Sequence, residues 1–99
     1  MDEITVVHAI KNGEVLSILY GGGLRLVEPF TFGRLKSGKL MLRVYQISGF
    51  SRSGEPTGWK LLAFAEIVSG VPTGSTFSGP RPGYNPNDSV MRGGIIATF

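Results

Sequence analysis

Arg43 and Tyr45 stand two residues apart in the apolar run "KLMLRVYQIS", and Trp59 and Lys60 open a second run, "WKLLAFAEIV". On an extended strand, residues two apart point the same way. An arginine beside an aromatic ring suits one chemistry: a base stacked on the ring, with its phosphate held by the guanidinium. Arg25 and Arg34 flank an earlier strand-like segment, "LRLVEPFTF", and Arg81 begins the Pro- and Asn-rich stretch "RPGYNPNDSV". Arg25, Arg34, Arg43, Tyr45, Trp59, Lys60 and Arg81 therefore make a candidate basic-aromatic patch for single-stranded nucleic acid or a small nucleotide. The plainer alternative is that Tyr45 and Trp59 are ordinary sheet residues and the cations are solvated.

Other chemistries lack their parts. His8 is the sole histidine, set among valines in "ITVVHAIKNG", and there is no cysteine. A metal cluster or a thiolate nucleophile cannot be assembled from these. Glu28 precedes a proline with no acidic neighbour, so no carboxylate pair is evident. "GGGLR" is not followed by Lys-Ser/Thr and a helix, and reads as a hairpin turn rather than a phosphate loop. The expectation is a protein that is not an enzyme and carries no cofactor.

The elements that must position the patch are short. A length of 99 residues suits a single domain, 1–99, with one small core. A hydrophobic content of 41% keeps the chain out of the disordered class. Fifteen glycines and six prolines punctuate it into short segments, which favours strands over long helices. "ITVVHAIKNG" is the one helix candidate, with Ile4, Val7 and Ile10 at helical spacing, Asp2 as cap and Gly13 as stop. Strands are read in "EVLSILY", "LRLVEPFTF" (bent or at an edge, because of Pro29), "KLMLRVYQIS", "WKLLAFAEIV" and "GIIATF". A further short strand is read around Thr76 and Phe77. The expected core is Leu16, Ile18, Leu26, Phe30, Leu40, Leu42, Val44, Leu61 and Ile67. One short N-terminal helix followed by about five or six strands predicts a mainly β fold, a small bent sheet or partly open barrel.

The net charge of +3 is unevenly placed. Asp2, Glu3, Glu14 and Glu28 lie in the first third; Arg34, Lys36, Lys39, Arg43 and Arg52 follow without an intervening acid. Such a run attracts nucleic acid, nucleotides or an acidic protein surface, or simply keeps a small domain solvated. The absence of cysteine excludes disulfides and fits a reducing compartment. No apolar run spans a bilayer, and "MDEITVVHAI" opens on two acids, unlike a secretory signal. The expected setting is cytoplasmic, without a membrane partner.

The stretch "AIKNGEVLSILYGGGLRLVEPFTFGRLKSGKLMLRVYQISG" resembles the opening of a WYL domain, with Ala9-Ile10, Tyr20 and Val27-Glu28-Pro29 matching in order. "GWKLLAFAEIVSG" is similar to the family's later strand, and the tail "FSGPRPGYNPNDSVM" to that of small stand-alone WYL-like proteins of bacteria and phages. The resemblance covers roughly residues 9–70. It implies an SH3/Sm-like barrel that senses a ligand, often nucleic acid or a nucleotide, in transcription regulation. Leu40-Met41-Leu42 stands where the family carries Trp-Tyr-Leu, and Ala63 and Ala65 where it carries Arg and Asp. No helix-turn-helix is read in the chain.

Residues 78–99 are expected to form an ordered latch and a final strand. Pro82 and Pro86 restrict the backbone, Asn85, Asn87 and Asp88 are turn formers, and Tyr84 has the ring and hydroxyl of an anchor. Arg81 is then held near a ligand site or pairs with Glu66, and Ile95, Ile96 and Phe99 are buried. The opposite reading is a mobile linker to a segment that docks on a partner. Three roles fit these features: a ligand-binding regulatory module, a phage-type or accessory protein that binds a host protein or sequesters a nucleotide signal, and a structural homo-oligomer paired through strand edges.

Overall fold

A computed structural model describes all 99 residues. Helix α1 (Glu3–Asn12) precedes strands β1 (Glu14–Tyr20), β2 (Gly23–Arg34), β3 (Leu40–Gly49), β4 (Gly58–Ala63), β5 (Ser69–Thr76) and β6 (Gly94–Thr98). The protein is mainly β, with 48% of residues in an open antiparallel sheet and one short N-terminal helix, as its punctuation predicts. The strands number six, which accounts for the five runs and the short stretch around Thr76 read as strand.

Local chemistry sets the helix ends. The Asp2 carboxylate accepts from the Thr5 amide at 2.7 Å, satisfying a free N–H of the first turn. Gly13 closes the other end at φ +63°, the left-handed region that glycine enters most cheaply. The buried stripe is Val6, Ala9 and Ile10, not the expected Ile4, Val7 and Ile10: Ile4 is 81% exposed. Both sets have helical spacing, and only the direction of approach of the sheet distinguishes them.

The sheet order is β4-β3-β2-β1-β5, with β6 also on β2. The two partners divide one edge of β2. β1 pairs with its first half, from Tyr20 opposite Gly23 to Leu16 opposite Val27. β6 pairs with its last, from Thr31 opposite Thr98 to Arg34 opposite Gly94. The sheet must curl, and chain length shows it. Four strand spacings would separate β4 from β5 by about 19 Å if the sheet were flat. The connection from Ala63 to Ser69 includes a 3-10 turn, Phe64–Glu66, and reaches no more than about 16 Å. The Ala63 amide donates to the Tyr20 hydroxyl at 3.1 Å and the Val68 amide to the Leu19 carbonyl at 3.0 Å, so the end of β4 touches the end of β1.

Both faces of this bent sheet are covered. One packs on α1, with Leu16, Ile18, Val27, Phe32, Leu42, Val44, Leu62, Ile67 and Ala97 around Val6, Ala9 and Ile10. The other lies under residues 77–99. A bulge assigns Phe30 to this second face. Pro29 stands opposite Val44 and Thr31 opposite Arg43, so Phe30 is an extra residue in β2, at the kind of irregularity where a proline without an N–H is tolerated. Phe30 is fully buried, but among Trp59, Phe77, Tyr84 and Phe99 at ring separations of 5.1–5.4 Å.

Several sequence expectations are corrected. Leu62, opposite Leu42, takes the core place expected of Leu61; Leu61 packs on a small cluster of Met41, Ala63 and Met91. Leu26 and Leu40 are only half-buried. The run "WKLLAFAEIV" is a strand only to Ala63. Residues 69–76 form a full edge strand where only a short one around Thr76 was expected. In β6 the buried residue is Ala97, while Ile95, Ile96 and Phe99 stay substantially exposed.

Candidate ligand cleft beneath the C-terminal segment

Four of the seven expected site residues meet on the second face. Arg43 and Tyr45 share it because they are two apart in β3, and Trp59 joins them because it stands opposite Tyr45. The Tyr45 and Trp59 rings meet edge to face at 5.5 Å, a favoured arrangement of their quadrupoles. The Arg81 guanidinium lies over the Tyr45 ring at 4.6 Å.

The C-terminal segment is tied to this surface by charge and by hydrogen bonds. Arg81 donates from Nε and Nη2 to the two Glu28 oxygens at 2.8 and 2.9 Å. It therefore pairs with Glu28, not with the expected Glu66, which instead lies 3.9 Å from Lys39. Arg43 donates from Nε and Nη2 to Asp88 at 2.8 and 3.3 Å. The Trp59 indole N–H donates to the Pro82 carbonyl at 2.8 Å. Gly83, at φ +91°, passes so close that a Cβ there would lie 3.1 Å from Trp59 Nε1. The Tyr84 hydroxyl bonds Thr98 Oγ1 at 2.8 Å and donates to the Phe99 carbonyl. Asn85 and Asp88 each accept from the backbone amide two residues on, which fixes the turns between.

Asp88 is the charged centre of this arrangement. Burial pushes its pKa up, but hydrogen bonds from Arg43 and the Val90 amide, with the Arg43 charge, outweigh that and hold it below the ordinary 3.8. Around the pair a polar cleft of about 170 Å³ opens, lined by Arg43, Trp59, Gly83, Asn85, Asp88 and Ser89. A groove of about 350 Å³ beside the other pair is lined by Glu28, Thr76, Phe77, Ser78, Gly79 and Arg81.

The remaining expected residues lie elsewhere. Arg25 is buried on the helix-facing side, donating to the Tyr20 carbonyl at 3.2 Å and to Gln46 Oε1 at 3.3 Å, with its guanidinium against the Tyr20 and Phe50 rings. It clamps the β1–β2 turn to the chain after β3. Lys60 points away from Trp59 and donates to the Glu55 carbonyl at 2.8 Å. Arg34 is exposed at the end of β2 and donates to the Gly38 carbonyl. His8 lies on the exposed side of α1 beside Glu14, and no group of three or more His, Asp or Glu gathers to hold a metal ion.

Asn85, Asp88 and Ser89 line the cleft without having been singled out as ligand contacts; the only signal for them was the density of turn formers in "RPGYNPNDSV". No helix is long and apolar enough to cross a membrane. No protein family, curated protein or solved structure matches the chain.

Proposed function

We propose that this protein is a non-enzymatic, ligand-binding regulatory module that takes a nucleotide, or one nucleotide of a single strand, between the β3–β4 surface and its C-terminal segment. The observation that carries this is the cleft itself, which Arg43 and Trp59 of the sheet line together with Gly83, Asn85, Asp88 and Ser89 of the C-terminal segment. An indole offers a stacking face to any base, and a guanidinium, an amide and a carboxylate offer donors and acceptors to its edge. At about 170 Å³ the cleft is smaller than a drug-sized pocket, which suits one planar group with the rest of the ligand outside. The resemblance to WYL domains supports the same reading, with an SH3/Sm-like barrel as scaffold and a cytoplasmic setting. The family's Trp-Tyr-Leu strand is replaced here by Leu40, Met41 and Leu42, so the aromatic contribution to the cleft comes from Trp59 instead.

Trp59 is the only tryptophan, so its fluorescence reports on the cleft directly. Titration with each of the common nucleoside monophosphates at low salt is expected to change that fluorescence saturably for at least one of them, and Trp59→Phe is expected to abolish the optical change while calorimetry still detects weaker binding. A flat titration, optical and calorimetric, with every nucleotide would overturn the assignment.

A further inference from the structure

Six of the ten cations and six of the seven carboxylates cancel across the molecule, and the remainder is concentrated at one end. Arg34, Lys36 and Lys39 lie in and beside the β2–β3 turn, and all three are exposed. Arg92, also exposed, is brought to them from the far end of the sequence by backbone pairing: the Gly93 amide donates to the Arg34 carbonyl at 2.8 Å, and Gly94 stands opposite Arg34 in the β2–β6 ladder. Glu66, 3.9 Å from Lys39, is the carboxylate that meets this group in an ion pair. Four cations against one carboxylate give this end a formal charge of +3, equal to the net charge of the whole chain.

The position of this group gives it meaning. The segment carrying Asp88 and Ser89 on the cleft wall continues through buried Met91, packed on Met41 and Ala63, to Arg92. On the neighbouring strand, Lys39 precedes Arg43 by four residues, or about 13 Å of extended chain. The basic end thus adjoins the cleft along both β3 and the C-terminal segment, with Arg34, opposite Leu40, at its helix-facing margin. We infer that this end is a second contact surface, for the phosphodiester backbone of a single-stranded nucleic acid whose base occupies the cleft. Phosphates spaced along a strand match cations spaced along a track, whereas a mononucleotide in the cleft does not reach them. This inference rests on the proposed reading of the cleft as a nucleotide site.

The test compares a mononucleotide, a short homopolymer oligonucleotide and poly-glutamate across a salt series. Affinity for single strands falls with salt with a log–log slope of about −0.7 per phosphate neutralised, so four cations give a slope near −3. Lys36→Glu/Arg92→Glu is the informative variant, because neither side chain takes part in an ion pair of the fold. It is expected to weaken oligonucleotide binding at least tenfold and to make the slope shallower by one or more, with mononucleotide binding unchanged. Lys11→Glu/Arg52→Glu changes the net charge equally, away from the track, and is expected to leave the slope intact. Mononucleotide binding with an oligonucleotide slope equal in parent and variant overturns the inference and leaves the cleft assignment standing. Oligonucleotide binding lost in the variant, but without any effect on Trp59 fluorescence in the parent, keeps the surface and removes the cleft. Poly-glutamate binding as tightly as the oligonucleotide overturns the assignment of a nucleic acid, and no binding of any probe overturns both.

Discussion

The substitution Asp88→Asn isolates the charge that ties the C-terminal segment to the sheet. The asparagine keeps the shape and an oxygen for the Val90 amide, but loses the charge facing Arg43. The two side chains are 27% and 10% exposed, which places the pair between a surface bridge, worth about 0–1 kcal/mol, and a buried one, whose rupture costs about 3–5 kcal/mol. With one hydrogen bond retained, the expected loss is about 1–2 kcal/mol at neutral pH. In a domain of this size that lowers Tm by about 4–8 °C per kcal/mol. The pH dependence is the sharper part. The folded-state pKa of Asp88 is lowered, so near that value the unfolded chain binds more protons than the native one. The stabilisation is therefore complete above the ordinary carboxylate value of 3.8 and is lost as pH falls through the lower folded value. Urea unfolding followed by far-UV circular dichroism should show a lower midpoint for the variant at neutral pH with an unchanged m value, and a gap that narrows as pH falls below 3.8. Equal midpoints at neutral pH, or a gap constant through the acid range, would refute the reasoning.

Leu42 is fully buried in the helix-facing core, and Leu42→Ala should cost about 2–5 kcal/mol in chemical unfolding. Gly13→Ala should cost about 1–3 kcal/mol in the same assay, because the position has φ +63° and the added Cβ would lie 2.7 Å from the Phe77 carbonyl. Tyr84→Phe keeps the ring contacts and loses the hydroxyl bonds to Thr98 and Phe99. It should lower stability by about 1 kcal/mol and speed hydrogen exchange at the Phe99 amide, which donates to the Phe30 carbonyl at 2.8 Å.

Much of the sheet could be read from alternation. β3 shows it plainly: Leu42 and Val44 face the helix, while Met41, Arg43 and Tyr45 face away. Period-two reasoning therefore placed Arg43 beside Tyr45 without any structure. It failed where the pattern has no phase. In "WKLLA" two leucines are adjacent, so either fits the core, and the pairing of Trp59 with Tyr45 decides for Leu62. It failed again at Phe30, because a bulge resets the alternation. β5 was nearly invisible because an edge strand exposed along most of its length carries no apolar period, and glycine and proline there read as loop. The turns after Asn85 and Asp88 followed from the turn formers of the segment, but its counterions did not. Glu28 and Asp88 are separated from their arginines by 53 and 45 residues, and local patterning holds no information about contacts that distant.

The aromatic layer has a consequence for how the chain is made. Phe30, Tyr45 and Trp59 are synthesised well before residues 77–99, which set Phe77, Tyr84 and Phe99 against Phe30, Arg81 over Tyr45 and Gly83 beside Trp59. At a translation rate of about 5–20 residues per second, the last 23 residues take about 1–5 s to add. Until those residues have been made and have packed, the aromatic face is uncovered, with Glu28 and Arg43 lacking their partners. Premature termination before Arg81 would make that exposure permanent, yielding a product prone to aggregate and to be captured by chaperones rather than a smaller working domain.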